Sequence, residues 1–369
     1  MKTLDIRHPI RSDIQGLRGL AVIFVILAHL FPSTLPGGFI GVDIFFVISG
    51  YVITNQLKSL WSQDKEHAIS EFYARRVRRI LPAALLVLTT TVLVTKFLLG
   101  PIFGADSARD GFWSTLFLAN FHFASQSQDY FATGVPQSLV QHYWSLAIEE
   151  QFYLLWPIIL LSLFKWVKSK AIVNAITGLL LLASLSFCLI NLYVAQNLNF
   201  FNSGARGWQL LAGCLLALLA VNPRDILTLR IGALGVLFTF AFFLTPTMNW
   251  PNIASLAVVT ASVILCLPMS GGRFRALDNR LFVYLGDISF LLYLWHWPIL
   301  MISKNYHSEF NLQQTLLVLL CTVIFSVTTH HFFEKPIRRS QILIRHPRIT
   351  IVGGLTLVLI TAIFMRSVQ

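Results

Sequence analysis

Apolar runs of roughly 20 residues, enough for a helix to cross a bilayer, recur along this whole chain with short polar connections between them. The pattern predicts helices over 16–32, 39–57, 80–99, 143–164, 172–190, 206–221, 229–245, 251–268, 281–302, 313–333 and 349–366. No charged residue interrupts 231–272, but Thr245-Pro246-Thr247-Met248-Asn249-Trp250-Pro251-Asn252 divides it into two crossings. Paired prolines stop a helix, and Trp favours the membrane interface. The polar and aromatic stretch 100–142 is expected to be a long connection. The fold expected is all-α, a polytopic transmembrane helical bundle of about eleven helices forming a single domain over 1–369.

Composition agrees, with 56% hydrophobic and 12% charged residues among 369. That balance excludes an ordinary soluble domain. A net charge of +12 would ordinarily suggest nucleic acid as a partner, and the placing of the charges removes that reading. With the amino terminus cytoplasmic, the inner segments hold Lys2, Arg7, Arg224, Arg273 and all the other Lys and Arg except Lys96, Arg109, Arg206, Lys304 and Arg366. This is the bias of the positive-inside rule, and an odd number of crossings then puts the carboxyl terminus outside. Pro32-Ser33-Thr34-Leu35-Pro36-Gly37 is no small-x-small cleavage site, so the first helix is expected to be retained. Cys188, Cys214, Cys266 and Cys321 lie in apolar spans without ligand spacing and are read as small core residues, with no metal site. The sequence contains no P-loop, no dinucleotide fingerprint after a strand, and no internal repeat of the transporter kind.

Polar residues at membrane depth carry the candidate chemistry, because each is costly to keep there. His29 closes the run DIQGLRGLAVIFVILAH and has the proton affinity of a general base for a hydroxyl; the plain alternative is a hydrogen bond to a nearby carbonyl. Arg18 lies eleven residues earlier, within ~20° of the same face and roughly 16 Å along the axis, a separation comparable to an extended pantetheine arm. In GGFIGVDIFFVISGY, from Gly37 to Tyr51, Asp43 opens the second helix. It could orient His29 as a carboxylate fixes an imidazole tautomer, or simply complement the helix dipole; the glycines are read as packing residues. Arg75, Arg76, Arg78 and Arg79 in FYARRVRRILPA precede the third predicted helix. Such a run can serve only topology and lipid anchoring, but four guanidiniums against the dipole of a helix start also suit a ligand with several phosphates.

In HYWSLAIEEQFYLLWP, Ser145, Glu149 and Tyr153 share a helix face by i, i+4, i+8 spacing, and Trp144 is either a sugar-stacking platform or an interfacial anchor. LGDISFLLYLWHWP holds His296, a second wall of the site, with Asp287 nine residues earlier on the opposite face. HHFFEKPIRR follows, with His330 and His331 read as interfacial.

Taken together, these five segments resemble, in order and over nearly the whole chain, the acyltransferase-3 family of bacterial membrane O-acyltransferases, which includes O-antigen, peptidoglycan and exopolysaccharide acetylases. The resemblance implies Arg18 and His29 as the helix-one pair, Asp43 as the segment-two carboxylate, the four arginines as the paired-arginine motif, and Trp144, Ser145, Leu146 and Glu149 as the WSL-x-x-E motif. It implies acetyl-CoA as donor substrate, no permanently bound cofactor, and a bacterial inner membrane setting. The acceptor would be a surface-glycan hydroxyl such as that of lipopolysaccharide O-antigen. Catalysis falls to His29, Asp43 and Glu149, coenzyme A binding to Arg18, Arg75, Arg76, Arg78 and Arg79, and the site wall to Trp144, Ser145, Tyr153 and His296; a covalent acyl-enzyme at Ser145 is a variant. Many relatives with such a final helix continue into an extracytoplasmic SGNH-type domain, a further expected partner, fused or separate. The rival reading is a transporter or flippase of a lipid-linked saccharide or acyl donor, using the same polar residues as a path; a membrane scaffold or sensor would leave them unexplained.

Overall fold

A computed structural model of the chain describes residues 11–126, 137–194, 196–221, 223, 226–246, 250–269, 274–307 and 310–369. Lys2, Arg7, Arg224, Arg273 and Thr247-Met248-Asn249, all used above, lie outside the described residues. Among the described residues every regular element is helical. In chain order these are α1 (Ser12–Leu30), a 3-10 turn (Pro36–Ile40), α2 (Gly41–Gln63), α3 (Ala68–Leu98), α4 (Pro101–Thr115), α5 (Ala119–Ser125), α6 (Tyr143–Trp166), α7 (Lys170–Val194), α8 (Gln196–Phe201), α9 (Ser203–Leu219), α10 (Leu227–Phe243) and α11 (Ile253–Cys266). There follow α12 (Arg280–Asp287), α13 (Ser289–Tyr306), α14 (Leu312–Thr329), a π-helical turn (His330–Glu334), α15 (Lys335–Arg339), α16 (Gln341–Arg345) and α17 (Pro347–Val368).

Seven of these segments are long and apolar enough to cross a membrane, or eight if α12 and α13 count as one bent span. The chain is a multi-pass membrane protein. Eleven crossings are expected from the sequence, and the shortfall has local causes. The segment 281–302 breaks at Ile288, the proline-bearing turn near 250 leaves α10 and α11 at 17 and 14 residues, and α9 is likewise short at 17 residues. Two differences bear on function. The third helix starts at Ala68, well before the predicted residue 80, because 68–79 is amphipathic, with Ala68, Phe72 and Ala74 buried, and an apolar-run criterion stops at the charges. The four arginines therefore sit inside a helix, beyond its first turn, where the positive end of the helix dipole does not oppose them. The expected connection 100–142 contains α4 and α5; the buried face of α4 is built from Gly104, Ser107, Ala108 and Gly111, small residues that hydropathy does not mark.

The chain divides into two compact units. The described part of one comprises Asp64–Ala147 and Phe290–Gln369. There α3 packs against α4 and α17, and Gly354 of α17 lies where a Cβ would meet the Val77 side chain at 2.5 Å. The other comprises the described residues up to Gln63 with Ile148–Ser289. At its centre α2 is mostly buried, whereas α7 is mostly uncovered, and α2 packs on α9, α1 and α11. Gly38 and Gly41 let the start of α2 touch α1, since a Cβ would stand 2.2 Å from the Phe24 carbonyl and 2.3 Å from that of Ala21. They are packing residues, as the sequence suggests.

At the opposite end of α1, Asp13 accepts from both Arg11 (2.7 Å) and Arg230 (2.8 Å). The two guanidiniums also bond the carbonyls of Leu265, Cys266 and Leu267, the orphan acceptors at the end of α11. Burial works against the charge of Arg11, but its hydrogen bond and ion pair with Asp13 outweigh it and hold its pKa above the usual value.

Candidate functional site

His29 sits in the last turn of α1, half-buried. On the same helix Arg18 donates to the side-chain carbonyl of Gln15 (3.1 Å), and the Gln15 amide in turn bonds Asp287 of α12. Arg18 is thus held from α12 through a relay of two side chains. Asp287 and His296, placed on opposite faces of one predicted helix, lie on two helices, because the chain breaks between them at Ile288.

Asp43 is 1% exposed. Its carboxylate accepts from Arg206 (3.0 Å), Gln209 (2.5 Å) and the indole N–H of Trp250 (3.0 Å to Oδ2). Arg206, equally buried, also donates to the Phe200 carbonyl (3.1 Å) and lies over the Phe200 ring at 4.8 Å. The Asp43 carboxylate is thus engaged by a buried ion pair and two neutral donors that bind α2 to α9 and to the turn before α11. Arg206, read from sequence as an outer-segment charge, is a core residue. The available signal was the spacing of Arg206 and Gln209, two polar groups three residues apart on one face of an otherwise apolar helix.

Glu149 of α6 is placed differently. It is only half-buried; Oε1 accepts from the Ser49 hydroxyl of α2 at 2.8 Å, and Oε2 from the Tyr153 hydroxyl at 3.2 Å. The predicted face of α6 is therefore realised for Glu149 and Tyr153. Ser145 turns to another partner, with its hydroxyl 2.6 Å from that of Tyr293 and 3.4 Å from the His142 carbonyl. Tyr293 donates to the same carbonyl at 2.8 Å. His296 is buried, its Nδ1 within 2.6 Å of the Tyr293 carbonyl and 3.2 Å of that of Leu292. The rings of His142, Tyr293 and His296 stand 5.4–5.8 Å apart. Trp144 is 1% exposed, buried at the start of α6. Ser49, Tyr293 and Arg206 are the site residues that sequence reasoning missed.

The arginines of α3 separate by environment. Arg78 is buried and donates to the Leu343 carbonyl (3.0 Å), tying α3 to α16. Arg75 pairs with Glu71 (2.7 Å), and Arg76 lies over the Phe72 ring at 5.6 Å; both, like Arg79, are partly open. In the π-helical turn, His330 is buried against Glu334 (2.9 Å), which also meets Arg338 (3.3 Å), whereas His331 is exposed. Among the described residues no group of three or more His, Cys, Asp or Glu is arranged to hold a metal.

The comparison with known families is specific: the model described as an acyltransferase domain matches residues 11–331, and the chain belongs to this acyltransferase-3 family. It is similar to peptidoglycan O-acetyltransferase OatA of Listeria monocytogenes, with 33% identity over 89% of this chain and 56% of that protein. It is also similar to O-acetyltransferase OatA of Staphylococcus aureus, with 29% identity over 89% of this chain and 57% of that protein. The chain thus spans a little over half the length of these relatives. No solved structure matches it.

Proposed function

We propose that the chain is a membrane O-acetyltransferase that moves an acetyl group from acetyl-CoA to a hydroxyl of an extracytoplasmic cell-wall glycan, with peptidoglycan as acceptor. The observation that carries this reading is the family match over residues 11–331, which contains every polar group of the site. The acceptor follows the printed function of the Listeria relative; it replaces lipopolysaccharide O-antigen, which none of the similarities supports.

In this reading His29 takes the proton of the glycan hydroxyl, the oxygen attacks the thioester carbonyl, and the C–S bond breaks to leave coenzyme A as thiolate, which is then protonated. Asp43 or Glu149 orients the imidazole, and of the two Glu149 is the half-buried carboxylate, meeting the hydroxyls of Ser49 and Tyr153, whereas Asp43 pairs with Arg206. Arg18, Arg75, Arg76 and Arg79 bind the phosphates of the donor, a use suited to guanidinium geometry; Arg78 serves the fold. The protein sits in the bacterial inner membrane with eleven crossings, amino terminus inside and carboxyl terminus outside, and passes acetyl groups with the help of an extracytoplasmic domain.

Purified protein mixed with radiolabelled acetyl-CoA and peptidoglycan fragments tests the proposal. Labelled glycan and free coenzyme A should both appear, and both should vanish with His29→Ala. Tight binding of glycan with no thioester consumed would favour the transporter reading instead.

A further inference from the structure

Three glycines bring the first half of α1 against the segment that contains α12. A Cβ on Gly16 would collide with the Leu277 carbonyl, one on Gly19 with that of Phe282, and one on Gly286 with that of Gln15. Side chains beside such backbone contacts have little room to swing, and two of them meet. The buried Gln15 donates its amide to Asp287, the last residue of α12, and its side-chain oxygen accepts from Arg18 at 3.1 Å. The order of donors and acceptors in this relay is forced. A carboxylate only accepts and a guanidinium only donates, so a primary amide that bonds both must turn its NH2 to Asp287 and its oxygen to Arg18. Asp287 thus sets the direction of the Gln15 amide, and the Gln15 oxygen is the contact of Arg18 that depends on it.

We infer that Asp287 is a positioning residue for the phosphorylated donor: by orienting the Gln15 amide it helps hold the Arg18 guanidinium where the phosphates of coenzyme A bind. This rests on the reading under Proposed function, which gives Arg18 to the donor and assigns nothing to Asp287. The sign of the effect separates this role from simple charge. By charge alone an acidic residue near a phosphate site weakens binding, only slightly at an exposed position in salt, and replacing it should tighten binding. Through the relay the same replacement does the opposite, because Gln15 loses the partner that aims its oxygen, and hydrogen bonds to charged groups are the stronger ones. A lysine at 287 makes the contrast sharpest. It adds positive charge, but it donates only and turns the Gln15 NH2 toward Arg18, so that two donors face each other.

Calorimetric titration of purified protein with coenzyme A, together with KM for acetyl-CoA, tests the role. Asp287→Ala and Asp287→Lys should each weaken coenzyme A binding and raise KM by about three- to tenfold, while kcat at saturating acetyl-CoA and the melting temperature in detergent stay near wild type. Gln15→Glu combined with Asp287→Lys should recover most of the affinity, since a carboxylate at 15 accepts from the lysine and from Arg18 together. Affinity in Asp287→Lys equal to or tighter than that of wild type overturns the role of Asp287. So does a double variant that binds no tighter than the single one, or a loss of affinity matched by equal losses of kcat and melting temperature. A wild-type protein that binds no coenzyme A overturns instead the donor reading on which the role stands.

Discussion

At the scale of single residues, the two carboxylates of the second unit show how environment divides labour between like groups. Asp43 and Glu149 both stand among apolar helices, but one is sealed against a guanidinium and the other is half-open to hydroxyl donors. Removing one partner of a buried ion pair leaves the other charge uncompensated, at a cost of about 3–5 kcal/mol. Asp43→Asn should therefore destabilise the protein by that order, read as a lower melting temperature in detergent, and adding Arg206→Gln to it should recover part of the loss. Glu149→Gln should leave the melting temperature near that of wild type and abolish acetyl transfer. An equal loss of stability in the two variants would show that the carboxylates are not distinguished as argued here.

The elements fix what the residues can reach. In α3, the four arginines occupy one stretch of helix with different commitments: Arg78 holds α16 through the Leu343 carbonyl, which also accepts from Thr350 (2.7 Å) of α17. Arg78→Ala should cost about 1–3 kcal/mol of stability through the lost charged hydrogen bond. Arg75→Ala and Arg79→Ala should instead weaken coenzyme A binding, measured by calorimetry on purified protein, with little change in melting. Helix approach is equally selective. Gly50→Leu should disrupt folding because the Leu210 carbonyl fills the space, whereas Gly178→Leu in α7 meets nothing within 4 Å and should be tolerated; expression and monodispersity in detergent read the difference.

For the molecule as a whole, the expected topology places the connection at Lys65 and that at Arg275 on the cytoplasmic side, with Ser125 and His307 outside. Cysteines introduced at these positions should react with an impermeant maleimide in intact cells only at 125 and 307. Class, helical content and family were all legible in the sequence, because a bilayer forces every span to be a long apolar helix and because the motif segments are local. The imidazole, the α6 carboxylate and the arginines were legible too, as polar groups in the wrong solvent. Partnership was not. That Asp43 belongs to Arg206, Gln209 and Trp250, and Glu149 to Ser49, joins residues 100 to 207 positions apart. Helix periodicity orders only neighbours a few residues away. The sequence by itself determined which groups are carried into the membrane; the packing of α2 against α9 and α6 decided that Asp43 is sealed against a guanidinium while Glu149 meets hydroxyls at a half-buried position, since a hydrogen bond depends on where atoms meet in space.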